Sequence, residues 1–216
     1  MNDDYADVHA KRYQKSLEWI SPLADKAEKI LDVGGESPFT KILRERWPGK
    51  IEPYLTGDLR KLFIIANCDL ILAMETIEHI PDCEDPETIH HRWIGTGAEG
   101  LLASCWMSLK PGGHLFLTTP NCCSITAIHH ALNHQPPMLY RPHVREYSVY
   151  ELDEMIRPIG FEIVRRETLD VWRNAISMRE HAQIKRFIEE ENYPQELRGE
   201  DIFLLARRPL ETTKPS

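Results

Sequence analysis

Residues Asp69-Leu70-Ile71-Leu72-Ala73-Met74 form an apolar run with no polar alternation. A strand of that kind is covered on both faces, which is the environment of a parallel sheet clothed by helices. Shorter apolar runs at Ile30–Val33, Ile51–Thr56 and Leu115–Thr119 repeat the theme. Between them lie stretches with helical spacing, the pattern of strands joined by crossover helices. The spacing predicts a helix over Ala6–Ala27, with apolar groups at Val8, Tyr13, Leu17, Trp19, Ile20 and Leu23 and an interruption at Ser21-Pro22. It predicts further helices over Phe39–Trp47, stopped by Pro48-Gly49, and over Ala98–Leu109, stopped by Lys110-Pro111-Gly112-Gly113. Ser148 with Glu151 three residues on is a capping box, and it opens a helix that Gly160 closes after Ile159. Phe161–Val164 begins a strand, Ala175–Glu191 reads as a charged helix, and Ile202–Ala206 is a last strand. Two late strands with a long connection fit the antiparallel edge of a mostly parallel sheet.

The 216 residues suit one domain. With 42% hydrophobic and 28% charged residues the chain is of globular composition, which excludes fibrous and disordered classes. The net charge of -8 disfavours a nucleic-acid partner, which calls for a basic face. The longest apolar stretch, Leu62–Met74, is broken by Asn67 and Asp69 and falls short of the ~20 residues of a membrane span. The start, Met1-Asn2-Asp3-Asp4-Tyr5, is acidic and lacks the apolar core of a signal peptide. Cys68, Cys83, Cys105, Cys122 and Cys123 show no Cys-x-x-Cys spacing and read as reduced thiols. The expectation is a cytoplasmic chain without membrane contact.

Lys29-Ile-Leu-Asp-Val-Gly-Gly-Glu-Ser-Pro38 runs a buried strand into glycines and then a helix. Open α/β sheets bind ligands at such strand ends. Gly34 and Gly35 let a ligand approach the backbone. The segment is not Gly-x-Gly-x-x-Gly and has no P-loop lysine, so a dinucleotide or a triphosphate is disfavoured. Asp32 is either a cap for the loop amides or a ligand-facing carboxylate. Asp58, in Tyr54-Leu-Thr-Gly-Asp-Leu59, either holds a turn or accepts hydrogen bonds from a ribose or an adenine amino group.

Three further segments are Cys68-Asp-Leu-Ile-Leu-Ala-Met-Glu-Thr-Ile-Glu-His-Ile-Pro-Asp82, Ser108-Leu-Lys-Pro-Gly-Gly-His-Leu-Phe-Leu-Thr-Thr-Pro-Asn121, and His143-Val-Arg-Glu-Tyr-Ser148 ahead of Gly160-Phe-Glu162. Taken in order with the Leu-Asp-Val-Gly loop, they resemble class I S-adenosylmethionine-dependent methyltransferases over residues 29–209. The resemblance implies a Rossmann-like, seven-stranded, mostly parallel sheet of order 3-2-1-4-5-7-6, with helices on both faces. It also implies an N-terminal helical segment over 1–28, a methyltransferase domain over 29–209 and a tail over 210–216. It places Asp32, Gly34, Gly35, Asp58, Leu59, Met74 and Glu75 around S-adenosyl-L-methionine, and His79 in the family's Glu-His-Ile pattern. The loop departs from the family's Gly-x-Gly-x-Gly at Glu36 and Pro38. The interval between Asp58 and Asp69 is short, so a strand or helix is missing there.

An acidic cleft of Asp32, Asp58 and Glu75 suits a cationic sulfonium. A hydroxyl or amine acceptor calls for a base, and His79 and His143 are the candidates. Arg145, Glu146 and Tyr147 form either a helix-entry network or a substrate lid, with Arg145 suited to an acidic acceptor. No metal is expected. His90-His91 and His129-His130 with His134 lack a third ligand, although His130 and His134 are four apart. Cys122-Cys123 read as buried small residues. The expected activity is methyl transfer, chiefly to oxygen, on a small-molecule or glycan-linked acceptor. The rivals are a non-catalytic nucleoside-binding domain and a nicotinamide-dependent dehydrogenase, the last disfavoured by its missing glycine motif. The acceptor-contacting segments are expected at Pro81–Gly97 and Cys122–Arg145.

Overall fold

The structure is a computed structural model that describes residues 3–54, 57–60, 63–81, 97–172 and 176–210, with side chains from residue 7 onward. Chain order is α1 (Asp3–Ala24), β1 (Ile30–Asp32), α2 (Pro38–Arg46), β2 (Ile51–Pro53), β3 (Cys68–Met74), a 3₁₀ turn (Ile77–His79), α3 (Gly97–Ser108), β4 (Leu109–Pro120), α4 (Ile125–Leu132), α5 (Val149–Ile159), β5 (Glu162–Leu169), α6 (Met178–Glu190) and β6 (Asp201–Arg207). One sheet runs β2-β1-β3-β4-β6-β5. The first four strands are parallel to one another, whereas β6 is antiparallel to both β4 and β5.

The sheet has six strands among the described residues, not seven, and its order is the expected one without the first position. The stretch from Tyr54 to Asn67 is the reason. A further parallel strand needs crossovers of roughly a dozen residues on each side, and this interval cannot hold them.

Side chains alternate across the sheet with period two, and both faces are filled. Ile71 and Ala73 of β3, Leu115 and Leu117 of β4, and Ile202 and Leu204 of β6 pack with α3 and α5 on one face. Leu70 and Leu72, Phe116, and Phe203 and Leu205 pack with α1 and α2 on the other. This is why Asp69–Met74 shows no polar alternation.

The capping box at Ser148 forms: its hydroxyl accepts from the Glu151 amide, and Gly160 ends α5 in the left-handed region at φ 112°. Equivalent boxes at Ser37 and Ser177 open α2 and α6. Three local expectations shift. Helix α1 continues through Ser21-Pro22, and its buried face keeps Tyr13, Trp19 and Ile20 of the expected stripe, adds His9, Arg12 and Ser16, and leaves Val8 exposed. Strand β4 starts at Leu109, so Pro111-Gly112-Gly113 lies inside it as an irregularity. Helix α4, which the spacing does not announce, packs on α6 through Ile125, Ile184 and Ile188. The expectations for Thr56, Cys83, His90, His91, Trp93 and the tail beyond Leu210 fall outside the described residues.

Candidate active site

The strand order reverses between β1 and β3, since β2 lies beyond one and β4 beyond the other. The carboxyl ends of those two strands flank a cavity of about 390 Å³, inside the roughly 300–1,000 Å³ of small-molecule pockets. Its walls include Gly34, Asp58, Leu59, Arg60, Glu75, Thr76 and His79. A second, more enclosed cavity of about 510 Å³ continues past Glu75 and His79, which line both. There α1 contributes His9 and Arg12, the 3₁₀ turn Glu78, and the loop after α4 Tyr140 and His143, with Trp172 opposite.

Asp32 faces inward, to its own loop. It is 5% exposed. One carboxylate oxygen accepts from the Gly34 amide at 3.2 Å and the other from the Thr40 hydroxyl at 2.7 Å. Burial lifts its pKa to about 6 against the pull of those hydrogen bonds. Asp32 shapes the loop, as the capping alternative has it, and does not line the cavity. Gly34 does. A Cβ there would stand 3.1 Å from Thr76 Oγ1 and 3.2 Å from the Met74 carbonyl, so the loop passes against the end of β3 with no room for a side chain. The positive φ of this loop belongs to Gly35, at 76°.

Asp58 lies on the wall, and Arg60 grips both of its oxygens, with Nε at 2.8 and 3.0 Å and Nη2 at 2.7 Å. A ligand hydroxyl reaching Asp58 therefore meets a carboxylate already held in place. Met74 contributes its carbonyl to the loop contact, while its side chain packs into the core beside α1.

Glu75 leaves β3 at a φ of 48°, a left-handed turn that aims its carboxylate across the strand ends. It accepts from the Thr118 hydroxyl at 2.8 Å and pairs with Arg12 at 2.5 Å. Asp201 lies close by and is fully enclosed. Burial, then the charge of Glu75, push its pKa well above the carboxylate range, and Arg12 opposes this.

Glu78 is completely buried. Thr119 donates to its Oε2 at 2.8 Å, whereas Oε1 has no hydrogen-bond partner. That oxygen lies 3.9 Å from His79 Nε2 and 4.0 Å from His143 Nε2. Burial, and next the charge of Glu75, raise the Glu78 pKa well above its ordinary value. The two imidazole rings meet edge to face at 4.8 Å. Burial, then His143, lower the pKa of His79, so it is neutral at pH 7 and carries a free lone pair.

His143 is oriented from behind. Its Nδ1 is 2.6 Å from Glu146 Oε1, and the same oxygen accepts from the Leu139 and Tyr140 amides. The Val144 amide donates to the Glu78 carbonyl at 2.9 Å and pins this loop over the 3₁₀ turn.

Glu146 thus acts behind His143. Arg145 and Tyr147 line neither cavity. Arg145 pairs with Glu151 and stacks over Tyr147, which is itself core. His134 falls beyond α4 at a φ of 56°, so it does not share a helix face with His130. Cys122 and Cys123 sit with their sulfurs 3.9 Å apart, and burial pushes the Cys122 thiol up to about 12.

Sequence reasoning read Trp172 as core or lid packing and passed over His9, Arg12 and Glu78. Glu78 had a signal in the spacing Glu75-x-x-Glu78-His79, which sets two carboxylates and an imidazole around one short turn. Arg12 and His9 had one too: polar residues three apart on the helix face that also carries Tyr13 and Ser16.

A mostly parallel sheet with this order, a glycine loop after β1 and an acidic cavity at the reversal point define a class I S-adenosylmethionine-dependent methyltransferase. The sequence profile of the family described as methyltransferase domain matches residues 5–166, and the chain belongs to that family. No curated protein matches the sequence. Solved structures similar to this chain include a SAM-dependent methyltransferase from Archaeoglobus fulgidus. It is 16% identical with a TM-score of 0.57, and the match covers 95% of this chain and 100% of that one. Another is the N-methyltransferase NodS from Bradyrhizobium japonicum in complex with S-adenosyl-L-homocysteine, at 14% identity, a TM-score of 0.55, and 96% and 93% of the two chains. A third is 1,6-didemethyltoxoflavin-N1-methyltransferase from Burkholderia thailandensis, at 15% identity, a TM-score of 0.51, and 96% and 81% coverage. Among the described residues no helix is long and apolar enough to cross a membrane.

Proposed function

We propose that the chain methylates an oxygen of a small-molecule or glycan-linked acceptor held in the larger cavity, with the cofactor in the smaller one. The observation that carries this reading is the shared wall: Glu75 and His79 border both spaces. The smaller cavity fits the cofactor at Gly34, where a Cβ would close on Thr76 and the Met74 carbonyl. Gly34, Asp58, Leu59 and Glu75 would hold it, and Asp32 and Gly35 shape the loop beneath. When bound, the cofactor supplies an electrophilic methyl group on a cationic sulfonium. Glu75 provides negative charge beside the junction, and Arg12 holds that carboxylate in place. His9, Tyr140 and Trp172 give the larger cavity flat ring surfaces suited to an aromatic or sugar face. His79 and His143 present ring nitrogens where the acceptor oxygen must arrive and promote its ionisation. Positioning and exclusion of water supply much of the rest.

The test has two stages. S-adenosylhomocysteine at about 100 times its dissociation constant should add roughly 2.7 kcal/mol of stability, read as a raised melting temperature, while NAD should add none. Radiolabelled methyl transfer to a panel of phenols, sugars, hydroxy acids and amines should then favour oxygen acceptors. His79→Ala should lower that turnover roughly 10²–10⁴-fold at unchanged affinity for S-adenosylhomocysteine. Absence of a thermal shift at millimolar ligand refutes the cofactor site. Transfer to amines alone refutes the oxygen acceptor.

A further inference from the structure

We propose that Glu78, His79 and His143 form a divalent transition-metal site at the floor of the larger cavity, whose open positions bind the acceptor oxygen. The proposal rests on the methyl-transfer reading for the identity of that oxygen, but not for the metal.

Three observations converge. One ligand atom from each of the three residues falls within 4.8 Å of the others, so one ion can reach all three. Bonds of roughly 2.0–2.2 Å would draw these atoms in by about 0.5–1 Å. His79 has the freedom to move, with 45% of its side chain exposed.

The second observation is the orphan oxygen. Glu78 is wholly enclosed, yet Oε1 accepts no hydrogen bond and is aimed between two imidazole nitrogens. An enclosed carboxylate oxygen left bare is costly. A cation shared with the two imidazoles removes that cost. Thr119 anchors the other oxygen, which directs Oε1 toward the site.

The third is the support behind His143. Glu146 Oε1 already accepts two backbone amides, and as a carboxylate oxygen it can only accept from Nδ1 as well. Nδ1 is therefore the donor to Glu146, which leaves Nε2 as the nitrogen that faces Glu78. A carboxylate fixing the far nitrogen of a ligating histidine is the usual arrangement behind a metal.

Two imidazoles and one carboxylate select a borderline ion such as zinc, iron(II), cobalt or manganese over calcium or magnesium. Three protein ligands leave positions open toward the cavity, as in catalytic centres. An acceptor hydroxyl bound there loses its proton to water, because the ion lowers its pKa. The oxyanion lone pair then forms the new O–CH₃ bond as the S–CH₃ bond breaks, and that bonding pair stays on sulfur as a neutral thioether. On this reading the histidines act through the ion and not as free bases.

The experiment is a cobalt(II) titration of the full chain after treatment with a chelator and desalting, followed by visible absorption and calorimetry. One equivalent should bind with a ligand-field band. His79→Ala, Glu78→Gln and His143→Gln should each weaken it by at least about tenfold. The thermal shift with S-adenosylhomocysteine should persist in His79→Ala, which shows that the variant is folded. Absence of a band in the wild-type chain, or equal affinity in the three variants, overturns the site. Cobalt binding without any S-adenosylhomocysteine shift supports the metal site and overturns the cofactor reading instead.

Discussion

Asp32→Asn isolates the cost of ionising a carboxylate beneath the cofactor loop. The unfolded group titrates near 3.8 and the folded one at about 6. Between those values the folded chain holds a proton that the unfolded chain has lost, so stability falls as pH rises. The contribution is complete below about pH 4 and gone above about pH 6. Its full span is roughly 3 kcal/mol, from about two pH units at 1.36 kcal/mol each. Linkage over the accessible part, pH 7 to pH 5, gives roughly 1 kcal/mol. Glu78 and Asp201 shift in the same direction, so the wild-type curve alone cannot assign the effect. The difference between wild type and Asp32→Asn can. The amide keeps the loop hydrogen-bonded, because it can accept from Gly34 and donate to Thr40, whose own hydroxyl can turn to the Gly35 carbonyl 2.9 Å away. Denaturant unfolding at pH 7, 6 and 5 should show wild type gaining on the variant by about 1 kcal/mol across the series. Parallel curves would mean that the Asp32 carboxyl titrates alike in both states, and the buried-charge argument would fail.

Gly34→Val should abolish stabilisation by S-adenosylhomocysteine while unfolding stays cooperative, because the branched side chain enters the space beside Thr76; retained binding in calorimetry would place the ligand elsewhere. Arg12→Met should cost roughly 3–5 kcal/mol in denaturant unfolding by stripping Glu75 of its partner, and adding Glu75→Gln should recover much of the loss; equal stability of the single and double variants would deny the coupling. Ser148→Ala should cost about 1 kcal/mol through loss of the Glu151 amide contact, and a change below a few tenths would show that the cap is not holding α5.

Much of this protein follows from local pattern. The unalternated Asp69–Met74 run states that β3 is covered on both sides, and the sheet order bears that out. Ser148 and Glu151, or Gly160 after Ile159, mark helix ends because cap geometry depends on residues within one turn. The short interval after Asp58 already signals a missing strand or helix, and the sheet has six strands among the described residues. What the pattern could not state is which remote residues meet. His143 reaches Glu78 only because the loop after α4 folds back over the 3₁₀ turn, held by the Val144 amide. Arg12 reaches Glu75 only because α1 packs on the sheet face beside the end of β3, and nothing in the helical spacing names that partner. Asp32 and Asp58 look equivalent as acids after strands. Tertiary contacts separate them, one turned inward to Gly34 and Thr40, the other held by Arg60 on the cavity wall. Periodicity encodes which face of an element is buried, whereas the site depends on where loops distant in sequence converge, and sheet order and packing decide that.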